Sequence, residues 1–429
     1  MTRYLRERTL YGPLIASAPH RDLGLVIVVP AKREPDLLQS LRSLENCDPP
    51  GCAVEVIVVF NSAEGEEEVH EENERTLAEM LRWTEGRRDE GRQFHALSFP
   101  RLPRKHAGVG LARKIGMDEA CRRLEAVERP EGVISCFDAD SECDANYLVE
   151  LERFFREMRE VQACSIRYEH PLPTQRDPAL ASAIAGYELH LRCFVEAQRW
   201  AGFPFAIQTI GSSMAVRADA YQAHNGMNRR QAGEDFYFLH KFSVHERVGE
   251  LVTTCVRPSS RVSDRVPFGT GRAMGEALAR NTPGISTYGP SGFQELQKLL
   301  VPAREGKFLR LEEAPAALGE FLRQAGYDLR IAEIVAQTKS DRTRILRFFR
   351  WFDGFLIMKF LHFFRDERRG SDIPVETMAR WLVQRRGEDW GESLGVVELL
   401  NQFRKSDLQG GNRRVTLESG PQIVRISEI

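Results

Sequence analysis

No Cys-x-x-Cys pair occurs in the chain, and no Cys/His cluster has the spacing of a zinc site, although there are eight cysteines. Several lie in apolar runs, where Cys behaves as a small hydrophobe, so reduced thiols are expected. No stretch reaches the roughly 18 uncharged apolar residues that a bilayer span needs. The nearest candidate, residues 348–364, is broken by Arg350, Asp353 and Lys359. Arg3, Arg6 and Arg8 are followed by no apolar run, so no signal peptide is expected. A cytoplasmic location and a substrate reached from water follow from these absences. A basic excess is also missing. The formal net charge of -2 argues against a nucleic-acid partner, but it leaves room for a small anionic ligand held by a few local Arg or Lys. Internal repeats and low-complexity segments are absent.

What remains is a chain of 429 residues, 42 % hydrophobic and 28 % charged, with enough apolar mass for a packed core and enough length for two or three domains. Residues 25–29 form a short, wholly apolar, β-branched run that predicts a strand buried on both faces. Pro35 and the helically spaced Leu37, Leu38, Leu41 and Leu44 follow. Further strands are predicted at 54–60, 94–99, 133–137 and 162–168. Helices are predicted at 108–124 and from Asp144, read as a cap, through Phe155. This alternation implies a mainly parallel sheet with helices on both faces, with ligands at the carboxyl ends of the strands. Residues 179–200 read as helix and 207–216 as strand. From about 301 the pattern turns helical. The division expected is an N-terminal segment 1–23, an α/β domain 24–300 and a mainly helical region 301–429.

Asp138-Ala139-Asp140 directly follows the apolar run 133–137. Two carboxylates two residues apart, where a strand gives way to a turn, reach one small volume. Such oxygens suit Mn2+ or Mg2+, and the ion can bridge to a diphosphate. A solvated turn or a helix cap would use the same residues. Gly233-Glu234-Asp235 precedes the aromatic run Phe236, Tyr237 and Phe238, which implies a partly buried carboxylate at Asp235 with a raised pKa. The plain alternative is a helix N-cap.

Taken together and in order, these segments resemble family 2 glycosyltransferases of the GT-A fold. Val28 to Glu34 is similar to the family's opening strand and its Pro-x-x-x-Glu turn. Ile57 to Asn61 resembles the second strand end. Gly108 to Gly116, with Ala112 and Arg113, resembles the Gly-x-x-x-Ala-Arg segment. Phe137 to Asp140 resembles the Asp-x-Asp, Gln208 to Ser212 the acceptor-side strand, and Gly233-Glu234-Asp235 the Glu-Asp that carries the base. The likeness spans about residues 24–275. It implies a GT-A-like α/β fold with a helical C-terminal extension, a nucleotide-sugar donor and a hydroxyl acceptor. Pro30, Glu34 and Asn61 would line the nucleoside pocket, with Asp138 toward the ribose or base, Asp140 on the metal and Arg113 near the diphosphate. Asp235 would be the general base, with Glu234 next in line. The plain alternatives are a helix N-terminal carboxylate for Glu34 and a solvated face for Arg113.

Two departures from the family pattern stand out. Asn61 replaces the usual Asp, and no His occurs between His245 and His362 to serve as a further metal ligand. Asp264 is the candidate substitute. Its loop, 257–272, reads as a lid or as ordinary surface. The aromatic run 348–364 reads first as a core helix, with a homodimer interface or a membrane-surface contact as its alternative use. Two rival functions fit the sequence less well. A nucleotidyltransferase would show a Gly-rich loop after the first strand, and Pro30 to Glu34 contains no Gly. A non-catalytic binding or scaffold protein would have no need of Asp138, Asp140 and Asp235 together.

Overall fold

The computed structural model describes residues 1–87, 89, 91–173, 177–230, 233–261, 284–368, 372–391 and 393–419. Its strands, in chain order, are β1 (Leu23–Ala31), β2 (Ala53–Ala63), β3 (Arg92–Leu102), β4 (Val133–Cys136), β5 (Glu142–Cys143), β6 (Ala163–Tyr168), β7 (Met214–Arg217), β8 (Val248–Arg257), β9 (Ser286–Thr287), β10 (Ile373–Pro374) and β11 (Arg413–Val415). The large sheet has the order β11-β8-β6-β7-β4-β1-β2-β3, with β5 paired to β8, and β9 and β10 pair separately. Strands β1, β2, β3 and β4 are parallel. β7 lies antiparallel between β4 and β6, and β6 and β8 are again parallel. The sheet is therefore mainly parallel, as expected, with β7 as the strand that turns back through its middle.

The uninterrupted apolar run of β1 follows from burial on both faces. Val26 and Val28 pack into one core, and Leu25, Ile27 and Val29 pack into the other. Helices cover both faces: α1 (Arg3–Glu7), α2 (Leu37–Glu45), α3 (Glu67–Thr84), α4 (Val109–Ala126), α5 (Tyr147–Glu157), α6 (Pro178–Trp200), α7 (Ala218–Ala223) and α8 (Glu234–Ser243). The C-terminal region is helical, with α9 (Pro290–Arg304), α10 (Ala316–Gln324), α11 (Tyr327–Ala336), α12 (Asp341–Trp351), α13 (Gly354–Phe363), α14 (Val375–Arg385) and α15 (Val396–Gln409). No helix among the described residues is long and apolar enough to cross a membrane.

Three local expectations need correcting. Residues 207–213 are irregular, and the strand begins only at Met214. Asp144 does not cap α5. The position before that helix is Asn146, and the Asp144 carboxylate pairs instead with Arg257. The aromatic run is two helices, because the Asp353 carboxylate accepts the amides of Phe355 at 3.0 Å and Leu356 at 2.9 Å and starts α13 afresh. Phe348, Phe349, Phe352 and Phe360 are fully buried, which bears out the core reading for the centre of the run.

The C-terminal helices are fastened to the sheet domain by charge as well as by packing. Glu188 on α6 is fully buried. It accepts hydrogen bonds from Arg192, one turn on, and from Arg404 of α15 at 2.7 and 2.8 Å. It also takes the backbone amide of His170 at 2.7 Å. Burial alone would push this carboxyl upward, but Arg192, Arg404 and His170 outweigh it and hold the pKa far below the usual range.

Candidate active site

β4 delivers Asp138 and Asp140 to the carboxyl end of the sheet. Phe137 continues the strand by donating its amide to the Val28 carbonyl at 3.0 Å. The chain then turns, closed by the Ser141 amide on the Asp138 carbonyl at 3.0 Å. The Ser40 hydroxyl, from α2, donates to the Ser141 carbonyl at 2.6 Å and reaches the Asp138 carbonyl at 3.1 Å. With the backbone so held, Ala139 is buried and both aspartates stay part-exposed.

The turn after β1 stands beside them. Arg33 has a φ of 55°, an uncommon value for a residue other than glycine. Its amide is held at 3.0 Å by the Asn73 side chain, which also donates to the Asn61 carbonyl at 3.0 Å. This locks the end of β1 to the end of β2 and places Pro30, Glu34 and Asn61, all buried, along one edge. One guanidinium then joins two of the segments. Arg261 pairs with Glu34 and with Asp140, the latter at 3.1 Å, and reaches Asp36 at 3.6 Å.

Arg113 joins the site across the sheet. Its guanidinium is buried and pairs with Asp138 on one side and Glu234 on the other. Burial works against the charge, but the two carboxylates outweigh it and raise the pKa above the ordinary Arg value. Gly211 makes the position available, because a Cβ there would lie 2.5 Å from the Arg113 guanidinium. Beside Glu234, Asp235 is half-buried and accepts the Phe236 amide at 2.7 Å. Its pKa is pushed up to about 7, first by burial and then by the Glu234 charge. The wall next to it is aromatic. Arg230 stacks on Tyr237 at 3.7 Å, and Tyr237 meets Phe355 of α13 at 5.6 Å.

Gly110, in the first turn of α4, is a second close approach. A Cβ would stand 2.4 Å from the Arg230 carbonyl and 3.0 Å from that of Asn228. Both atoms are backbone, and the segment leads into Glu234 and Asp235. Gly110→Ala is therefore expected to lower stability by about 1–3 kcal/mol, the usual cost of overpacking, read from a urea titration. An unchanged midpoint would show that residues 228–230 yield freely.

The structure thus brings Asp138, Asp140, Glu34, Arg113, Glu234 and Asp235 into a connected set, with Pro30 and Asn61 on its rim. Asp264 lies outside the described residues, as does most of loop 257–272. Arg261 and Asn73 were missed by the sequence reading. Arg261 lies in the loop read as a lid or as surface, with no role of its own assigned there, and Asn73 was given no role. As for a metal, the Arg261 cation 3.1 Å from the Asp140 oxygens shows that positive charge is accommodated there. Among the described residues no group of three or more His, Cys, Asp or Glu forms a closed metal cluster. The carboxylate oxygens of Asp138 and Asp140 are hard donors of the kind that Mg2+ or Mn2+ takes.

No protein-family model matches the chain, and no curated protein matches it significantly. Among solved structures it is similar to residues 1–349 of S. aureus TarS crystallised with UDP-GlcNAc, at 12 % identity and TM-score 0.39 over 86 % of this chain and 93 % of that one. The same fragment with UDP gives 14 % and 0.36 over 86 % and 93 %. A further structure of S. aureus TarS gives 13 % and 0.37 over 81 % of this chain and 56 % of that one. At these TM-scores the likeness carries no functional weight.

Proposed function

We propose that the protein is a glycosyltransferase that moves a sugar from a nucleoside-diphosphate donor to an acceptor hydroxyl, with inversion at the anomeric carbon. The observation behind this reading is the Arg113 bridge. It draws Asp138, at the end of β4, and Glu234, at the start of α8, into one site, with Asp235 alongside carrying a pKa of about 7. A carboxylate poised near neutrality suits a general base.

In this reading Pro30, Glu34 and Asn61 receive the nucleoside and Asp138 the ribose. Asp138 and Asp140 would hold Mn2+ or Mg2+, which when bound neutralises charge on the leaving diphosphate. Arg113 keeps the two halves of the cleft in register. Asp235 takes the proton of the attacking hydroxyl, and its half-buried setting limits competition from water.

Incubation with a panel of nucleotide sugars tests the activity directly, because donor hydrolysis or transfer is expected with at least one of them. Stabilisation by a nucleoside diphosphate is expected to need Mn2+ or Mg2+, to vanish with EDTA and to be absent in Asp140→Ala. Equal thermal shifts with and without metal would remove the ion from the proposal.

A further inference from the structure

All eight cysteines are unpaired thiols, yet two of them meet. Cys47, just past the end of α2, and Cys143, on β5, place their sulfurs 3.5 Å apart. Their surroundings are built from one face of α2. Ser40, Ser43 and Cys47 fall at positions i, i+3 and i+7, the spacing that lines residues along one side of a helix. Ser40 holds the carbonyls of Asp138 and Ser141. Ser43 accepts the Cys143 amide at 2.8 Å and touches its sulfur at 3.5 Å. Cys47 completes the row. This face is therefore the rail on which residues 138–143 sit.

Access is one-sided. Cys47 is buried, whereas Cys143 lines an open cavity of about 530 Å³ together with Arg42, Asn46 and Glu142. We propose that Cys47 and Cys143 form a reversible disulfide site, oxidised by small-molecule disulfides, which clamps segment 138–143 to α2. The sulfurs need to close by about 1.5 Å to reach bonding distance. The contact with Cys143 and the nearby Arg92 favour the thiolate at Cys47 in spite of burial, and the same contact raises the Cys143 pKa.

The chemistry balances as two thiol–disulfide exchanges. The Cys47 thiolate takes the Cys143 proton across their 3.5 Å contact, the cavity-facing Cys143 sulfur attacks one sulfur of oxidised glutathione, and the expelled glutathione thiolate takes that proton from Cys47. The Cys47 thiolate then attacks the Cys143 sulfur and expels the second glutathione moiety as its thiolate. Two protein thiols are oxidised by two electrons, and one glutathione disulfide is reduced to two thiols. In a reducing cytoplasm such a bond is transient, as sensing disulfides are.

The test is independent of sugar transfer. The full chain is equilibrated in glutathione buffers of rising oxidised fraction, then alkylated, weighed and mapped. The expected result is loss of two of the eight thiols to a Cys47–Cys143 linkage, restored by dithiothreitol. Cys47→Ser is expected to stop at a glutathione adduct on Cys143, and Cys143→Ser to leave Cys47 free. In the oxidised wild type, hydrogen exchange at the Ser141 and Cys143 amides is expected to slow at least several-fold. The proposal is overturned if the wild type stops at the Cys143 adduct, if either cysteine links elsewhere, or if those amides exchange at the reduced rate.

Discussion

Asp235→Asn is expected to lose sugar transfer by about 10²–10⁴-fold, or roughly 3–5 kcal/mol of barrier, while keeping nucleotide binding. The asparagine keeps the shape and the contact with the Phe236 amide but cannot take a proton. Wild-type activity is expected to rise with pH through about 7, because the base works only when ionised. The same group has an opposite effect on stability. Its folded pKa lies above the ordinary carboxylate value, so the folded state disfavours the charged form. Stability is fully present in acid and falls as pH rises toward and through about 7. Asp235→Asn should thus match the wild type in denaturant near pH 4 and exceed it near pH 8. Near-normal turnover by the variant would remove Asp235 from the base role. A product that keeps the donor's anomeric configuration would remove inversion.

Arg113→Met should be the most destabilising change at the site. The new side chain fills similar space but leaves the buried Glu234 carboxylate without its cation. Breaking one side of a buried pair costs about 3–5 kcal/mol. Asp138 contributes less, because its side chain is 37 % exposed and water can take over part of the charge. The double variant Arg113→Met, Glu234→Gln removes the orphaned charge and should recover much of the loss in guanidinium titrations. It should not recover transfer, because Asp138 and the segment bearing Asp235 are no longer tied together. If the single variant unfolds at the wild-type midpoint, the pair does not hold the cleft.

Much of this arrangement was legible in the residues. The strands β1, β2 and β4 announce themselves as β-branched apolar runs, β3 and β6 as mixed runs of aromatic and aliphatic residues, and Asp138, Asp140, Glu234 and Asp235 are polar residues placed where strands end or where a helix begins. β8 was not anticipated. Gly249, Glu250, Thr253 and Thr254 interrupt its apolar character, and Glu250 is buried only because Arg199 and Arg413 meet it from elsewhere in the chain. The same reason hid Arg261. Nothing local marks an arginine that finds the Glu34 carboxylate 227 residues away. Periodicity reports how a segment is buried, but not which charge will come to meet it. The extent of β7 failed differently. Residues 207–213 look like strand, but Gly211 is needed to make room for the Arg113 guanidinium, so a site requirement overrides local β preference there.

Glu188 bears on how the protein can be recombined. The gene could be cut near codon 300, where composition shifts, and the first part joined to another C-terminal region. That chimera would inherit Glu188, His170 and Arg192 but not Arg404, which arrives from α15. Its α6 would then carry a carboxylate designed for two arginines and supplied with one. Residues 168–192 and 396–409 therefore form a single unit of inheritance despite the distance between them in sequence, and a library of exchanged C-terminal regions would have to carry an arginine at the matching position of its last helix.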